Sequence, residues 1–210
     1  MNINNSIFHG SLTRVLSVTM TAEEAEQAAT KLLTRYYTVE DVVTAPIYEV
    51  ADVVGKNAAV LLKLTGYIAS RRETDAFRFG TVHTRDEVVR YFRAHFIGKH
   101  VESMCLMTFD GEGRALAMHE LSEGTVNASG VVPRKLLEYA SADGAASVVI
   151  AHNHPHGLAR ASRDDSAMTA SLSELLRLAG VELRYHVLIA GHYYDFISAG
   201  GCTNDISKLT

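Results

Sequence analysis

Apolar residues recur at three- and four-residue spacing in the first third of the chain and at alternate or consecutive positions in much of the rest, which predicts helices first and a sheet-containing region after them. Thr21 with Glu24 three positions on forms a capping box. Behind it, Ala25, Ala28, Ala29, Leu32 and Leu33 share one face and predict a helix over residues 22–36. Thr38 with Asp41 starts a second, short helix. Val60, Leu61, Leu64, Tyr67 and Ile68 place a third over residues 57–70, with Gly66 as its one weak position. The first 15 or so residues are polar and are expected to be loose, so residues 20–72 read as a small helical unit.

The segment RRETDAFRFGT, residues 71–81, breaks the helical period and mixes charges with a glycine, as a linker does. It sets the expected division into a helical domain, residues 1–75, and a second domain, residues 76–210. In the second, residues 84–96 form an amphipathic helix with Val88, Val89, Phe92 and Phe96 inward. Residues 101–109 and 114–121 are strand-like and flank Asp110-Gly111-Glu112-Gly113, a hairpin signal. Pro133 opens a helix running to about Ala142, and residues 147–152 are a short buried strand. A helix over 165–179, with Met168, Leu172, Leu175, Leu176 and Ala179 inward, is stopped by Gly180. Strands over 181–190 and 193–198, joined by a Gly191-His192 turn, close the chain. The expected class is mixed α/β, a sheet flanked by helices and preceded by a small all-helical domain.

Composition narrows the function. Of 210 residues, 20 are Lys or Arg and 24 are Asp or Glu, and a net charge of -4 excludes a strongly basic nucleic-acid coat. With 47% apolar and 21% charged residues the chain is an ordinary globular protein. Cys105 and Cys202 are far apart and lack a CxxC partner, so neither a disulfide framework nor a cysteine zinc finger is expected; Cys105 reads as a small core residue. The apolar runs fall well short of the roughly 20 residues that span a bilayer, and the N-terminus does not read as a secretory signal. A cytoplasmic protein is the expectation.

What changes the picture is the histidine content: 10 residues, two of them in the string HNHP. His152 and His154 are two apart at a strand end, so their imidazoles point to the same side while Asn153 points away. Pro155 and Gly157 turn the chain, and Asp165 falls in the first turn of the next helix with Ser162 at its N-cap. Two neutral imidazoles and one carboxylate make a three-ligand zinc site with a fourth position for water. Such a site needs a base for the water proton. Glu102, in VESMCLM, is one candidate, because an ionised group at the start of an apolar strand is costly unless used or paired; Glu120, in MHELSEG, competes with it. His119, His186 and His192 read as edge or turn histidines, and His156 as a loop residue or a substrate contact.

The string HNHPHGLARASRDD resembles the JAMM metal motif of JAB/MPN-domain metallopeptidases: His-x-His, ten intervening residues, then Asp, with Ser three before it. GTVNASGVVPRKLLEYASADGAASVVIAHNHP is most similar to the RadC-like branch, and the resemblance covers about residues 80–201. It implies an MPN/JAB-type, cytidine-deaminase-like sheet, a Zn2+ cofactor, and hydrolysis of a peptide or isopeptide bond in a protein or peptide substrate. It also implies that His152, His154 and Asp165 bind zinc, that Glu102 rather than Glu120 moves protons, and that Ser162 steadies an oxyanion.

The N-terminal unit resembles the helix-hairpin-helix domain of RadC-like proteins, with residues 53–62 (VVGKNAAVLL) as the hairpin. Where the family prefers Gly-x-Gly, this chain has Gly55-Lys56-Asn57, and residues 20–72 carry six positive against seven negative charges, which weighs against DNA binding. The metal loop also departs, with His156, Leu158-Ala159-Arg160-Ala161, and Tyr185 before His186. The alternatives to a hydrolase are a DNA-associated accessory module with a structural metal and a peptide-binding pseudoenzyme. Substrate identity and oligomeric state are not encoded in any motif.

Overall fold

The computed structural model describes residues 3–36, 38–124, 131–155, 158–191, 193–198 and 201–202. The chain divides into two compact units, Met1–Arg72 and Glu73–Thr210.

The first unit is helical: α1 (Ile3–Leu16), α2 (Ala22–Tyr36), α3 (Val39–Thr44), α4 (Ile47–Val54) and most of α5 (Lys56–Ala76). The Thr21–Glu24 capping box forms, each residue's side chain bonding the other's backbone N–H at 2.9 and 3.3 Å. Thr38 caps α3 by accepting from the Asp41 backbone N–H. Three expectations are corrected. The supposedly loose start is α1, whose Leu12 and Leu16 join Ala25, Ala28, Ala29 and Leu32 of α2 in one core; two leucines four apart supply a buried face that a polar average conceals. An additional helix, α4, precedes α5, and Gly55 takes a φ of 77° at the junction, a left-handed conformation that glycine adopts without strain. Finally, α5 continues to Ala76, through much of the expected linker, because nothing before residue 76 breaks its backbone.

The inward face of α5 also differs from the apolar stripe. Ala58, Ala59, Leu62 and Gly66 are buried, whereas Val60, Leu64, Tyr67 and Ile68 are exposed. Gly66 explains why: a Cβ there would lie 2.9 Å from Val43 Cβ, so the absence of a side chain lets the chain around Val43 approach.

The second unit carries α6 (Arg85–Phe96), β1 (Ser103–Phe109), β2 (Ala115–Glu123), α7 (Val131–Ala142), β3 (Ser147–Asn153), α8 (Arg163–Leu178), β4 (Glu182–Ala190), β5 (Tyr193–Ser198) and a short β6 (Gly201–Cys202) that the pattern did not predict. The strand order is β2-β1-β3-β4-β5-β6, with β3 and β4 parallel and the other neighbours antiparallel. Both sheet faces are covered. Cys105, Met107, Val149, Ala151 and Val187 pack with Val88, Val89 and Phe92 of α6. Met104, Leu106, Val148 and Ile150 pack with Leu136 of α7 and Leu172 and Leu176 of α8. Alternation along β3 therefore sends residues 148, 150 and 152 to the α7/α8 side, which places His152 opposite α8. This is a mixed α/β fold with a helical N-terminal region. The Gly191-His192 turn falls partly outside the described residues.

Candidate metal centre

The end of β3 and the start of α8 build the site. Ser162 is the N-cap of α8, and its hydroxyl accepts from the Asp165 backbone N–H at 3.0 Å while its own N–H donates to Asp165 Oδ2 at 2.8 Å, a reciprocal capping box. This orients the Asp165 carboxylate at the helix entry, on the buried face. His154 lies one residue past β3 but extends the ladder, its N–H donating to Ile189 O at 2.8 Å, so the two imidazoles share a side. His152 Nε2 and His154 Nε2 are 3.2 Å apart, and Asp165 oxygens lie 3.4 Å from the first and 3.7 Å from the second. His154 Nδ1 faces Leu158 O at 3.3 Å, which draws its proton to that nitrogen and leaves Nε2 with a lone pair. Imidazole nitrogens and carboxylate oxygens thus converge with lone pairs toward one another, an arrangement that a divalent cation satisfies. The three residues could hold a metal ion.

Burial raises the Asp165 carboxyl, but the neighbouring His152 ring and hydrogen bonds from the Ser162 hydroxyl and N–H outweigh it and hold the group well below the usual carboxylate range. The carboxylate is therefore ionised.

Glu102 sits at the mouth of this cluster, its Oε1 4.0 Å from His154 Nε2. It precedes β1 rather than lying within it, and its side chain is 48% exposed, so the burial cost argued from the sequence is largely absent. Its backbone is held firmly. Asn153 Oδ1 accepts from Ser103 N–H at 2.8 Å, Asn153 Nδ2 donates to Val101 O at 3.2 Å, and Gly124 N–H donates to Glu102 O at 2.8 Å. The rival carboxylate, Glu120, is engaged elsewhere, with Lys99 Nζ at 2.6 Å and His95 Nε2 at 3.2 Å. Ser162 directs its hydroxyl proton to Asp165 Oδ2 at 2.6 Å.

His95, Cys105 and Glu120 form a second cluster of potential donor atoms. Burial pushes the Cys105 thiol up to about 12 and Lys99 already neutralises Glu120, so that cluster suits a metal poorly. Cys105 is a core residue, as expected.

His186 is corrected most. It lies neither at an edge nor in a turn but fully buried in β4, with Nε2 2.7 Å from His152 Nδ1 and Nδ1 2.7 Å from Thr169 Oγ1. Burial pushes its imidazole well below the ordinary value, so the ring is neutral. Two signals were available: Thr169 is one helical turn beyond Asp165, and a histidine inside an apolar strand needs buried partners. His119, by contrast, is on the edge strand β2, bonded to Asp143 Oδ2 at 2.7 Å. His156 and His192 are outside the described residues.

Comparison with known proteins gives this arrangement a family. A family model described as the RadC-like JAB domain matches residues 82–201. The chain is 31% identical over 178 residues to a UPF0758 protein of Methylibium petroleiphilum, covering 83% of this chain and 80% of that protein. A UPF0758 protein of Cupriavidus pinatubonensis is 31% identical over 189 residues, 88% of this chain and 83% of the relative. One from Verminephrobacter eiseniae is 38% identical over 107 residues, where the match spans 51% of this chain and 45% of the relative. The domain match and the long alignments agree: the chain belongs to the RadC-like JAB domain family.

Proposed function

We propose that this protein is a zinc-dependent hydrolase of peptide or isopeptide bonds, with His152, His154 and Asp165 as zinc ligands, Glu102 as the acid–base group and Ser162 as an oxyanion donor. The observation that carries this reading is the convergence of both Nε2 atoms and the Asp165 carboxylate within 3.2–3.7 Å, with Glu102 at the open side of the cluster. Zinc held there would supply a Lewis acid that polarises a carbonyl and brings the pKa of water to about 7. Glu102 is not hydrogen-bonded to His154 at 4.0 Å and is half-exposed, so it is available to take a proton from the attacking water and return it to the leaving amine as the C–N bond breaks. Asn153 fixes the backbone on both sides of Glu102 and thereby limits where that carboxylate can stand. Ser162 turns its hydroxyl from Asp165 to the developing oxyanion, while its backbone N–H, 2.8 Å from Oδ2, keeps Asp165 oriented.

The test is Glu102→Gln, assayed on a panel of peptide and isopeptide substrates with zinc content measured in parallel. Hydrolysis is expected to fall by about 10²–10⁴-fold with zinc retained. Full activity in the zinc-loaded variant would remove Glu102 from the reaction, and no cleavage by the zinc-loaded wild type across the panel would remove the hydrolase.

A further inference from the structure

His152 contacts a hydrogen-bonded chain with a direction. Thr169 has one hydroxyl proton, and it goes to the Asp165 backbone carbonyl at 2.6 Å. Its oxygen is then the acceptor for His186 Nδ1, 2.7 Å away, so Nδ1 of His186 carries the ring proton. A neutral imidazole has one N–H and one lone pair; with the proton on Nδ1, His186 Nε2 accepts. Its partner is His152 Nδ1 at 2.7 Å, which must therefore be N–H. That leaves His152 Nε2 as a lone pair, the atom 3.4 Å from Asp165 Oδ1 and 3.2 Å from His154 Nε2. The chain closes on itself: it starts at the backbone of Asp165 and ends at a ring facing the carboxylate of the same residue. It ties α8, β4 and β3 together through buried groups, Thr169 and His186 both being fully enclosed.

We propose that Thr169 and His186 are positioning residues that lock His152 in its Nδ1–H tautomer and so present the Nε2 lone pair to a divalent metal. The inference rests on reading His152, His154 and Asp165 as the metal site, but the tautomer exists without the metal. Histidines that ligate metals commonly donate their other ring N–H to a carboxylate, a carbonyl or water. Here the acceptor is a second imidazole, which can serve as donor or acceptor, and the Thr169 hydroxyl decides between the two. Without that hydroxyl, His186 Nδ1–H loses its acceptor. The opposite tautomer, with His186 Nε2 donating to His152 Nδ1, then places a proton on His152 Nε2, where it blocks ligation.

The experiment compares the full-length wild type, Thr169→Val and Thr169→Ser. Ring-nitrogen NMR on the metal-free protein reads the tautomer, with the His152 signals identified by their loss in His152→Gln, and competition with a chromogenic chelator reads zinc affinity. The expected results are Nδ1–H at His152 in wild type and Thr169→Ser, and loss of that single tautomer in Thr169→Val with about 10–100-fold weaker zinc binding. An Nε2–H tautomer of His152 in the wild type overturns the proposal, as does a folded Thr169→Val protein with wild-type tautomer and zinc affinity. Should Thr169→Val fail to fold, the wild-type tautomer decides. Should the wild type bind no zinc, the metal-site reading fails while the NMR still judges the relay.

Discussion

Asn153 separates His152 from His154 in the chain and faces away from them, yet it spans Glu102 by bonding Ser103 N–H and Val101 O. Ser103 is fully enclosed, so Asn153→Ala strands a buried N–H. The expected loss is about 1–3 kcal/mol in denaturant unfolding, with zinc stoichiometry unchanged. Unchanged stability would mean the Asn153 bridge is not formed in solution. At this scale the sequence was informative wherever residues lie close along the chain. His152, His154, Ser162 and Asp165 fall within fourteen positions, and spacing alone placed the two rings on one side and the Ser at the cap. Partners brought together across the sheet were not legible. Thr169 and a buried strand histidine could each be noticed, but nothing local links the two across 17 positions, nor Ser103 to Asn153 across 50.

At the scale of the element, side-chain size misled more than polarity did. In α5, Val60, Leu64, Tyr67 and Ile68 are exposed while Ala58, Ala59, Gly66 and, of the large residues, Leu62 are inside, and at Gly66 close approach to Val43 leaves no room for a side chain. In α1 the polar average concealed Leu12 and Leu16. Leu16→Ala is expected to destabilise the protein by about 2–5 kcal/mol in chemical denaturation, whereas a loose segment would show almost no effect. Lys63 of α5 donates to Val42 O at 3.2 Å, Val43 O at 2.7 Å and also Ala45 O, around the C-terminal end of α3. Burial pushes its ammonium down from 10.5 to about 8. Between those values the unfolded chain binds more protons than the folded one, so stability rises with pH across that window, and the charged form costs stability below it. The stability of wild type relative to Lys63→Met should therefore rise between pH 8 and pH 10.5 in paired denaturation curves; a difference that is flat or falls there contradicts the assignment.

For the molecule as a whole, the switch from helical to sheet patterning was readable along the chain, and each unit has its own core. Strand order was not readable: only the fold shows that β1 lies between β2 and β3 and that β3 turns His152 toward α8. Among the described residues no helix is long and apolar enough to cross a membrane. The chemistry proposed for this family member depends on one premise, that the cluster at the end of β3 holds a metal. Elemental analysis of untagged protein, wild type against His154→Ala, addresses it directly. About one zinc per wild-type chain is expected, lost in the variant, as three ligands with one open position require. A wild type that contains no metal and takes up none when zinc is offered would contradict the account at its base.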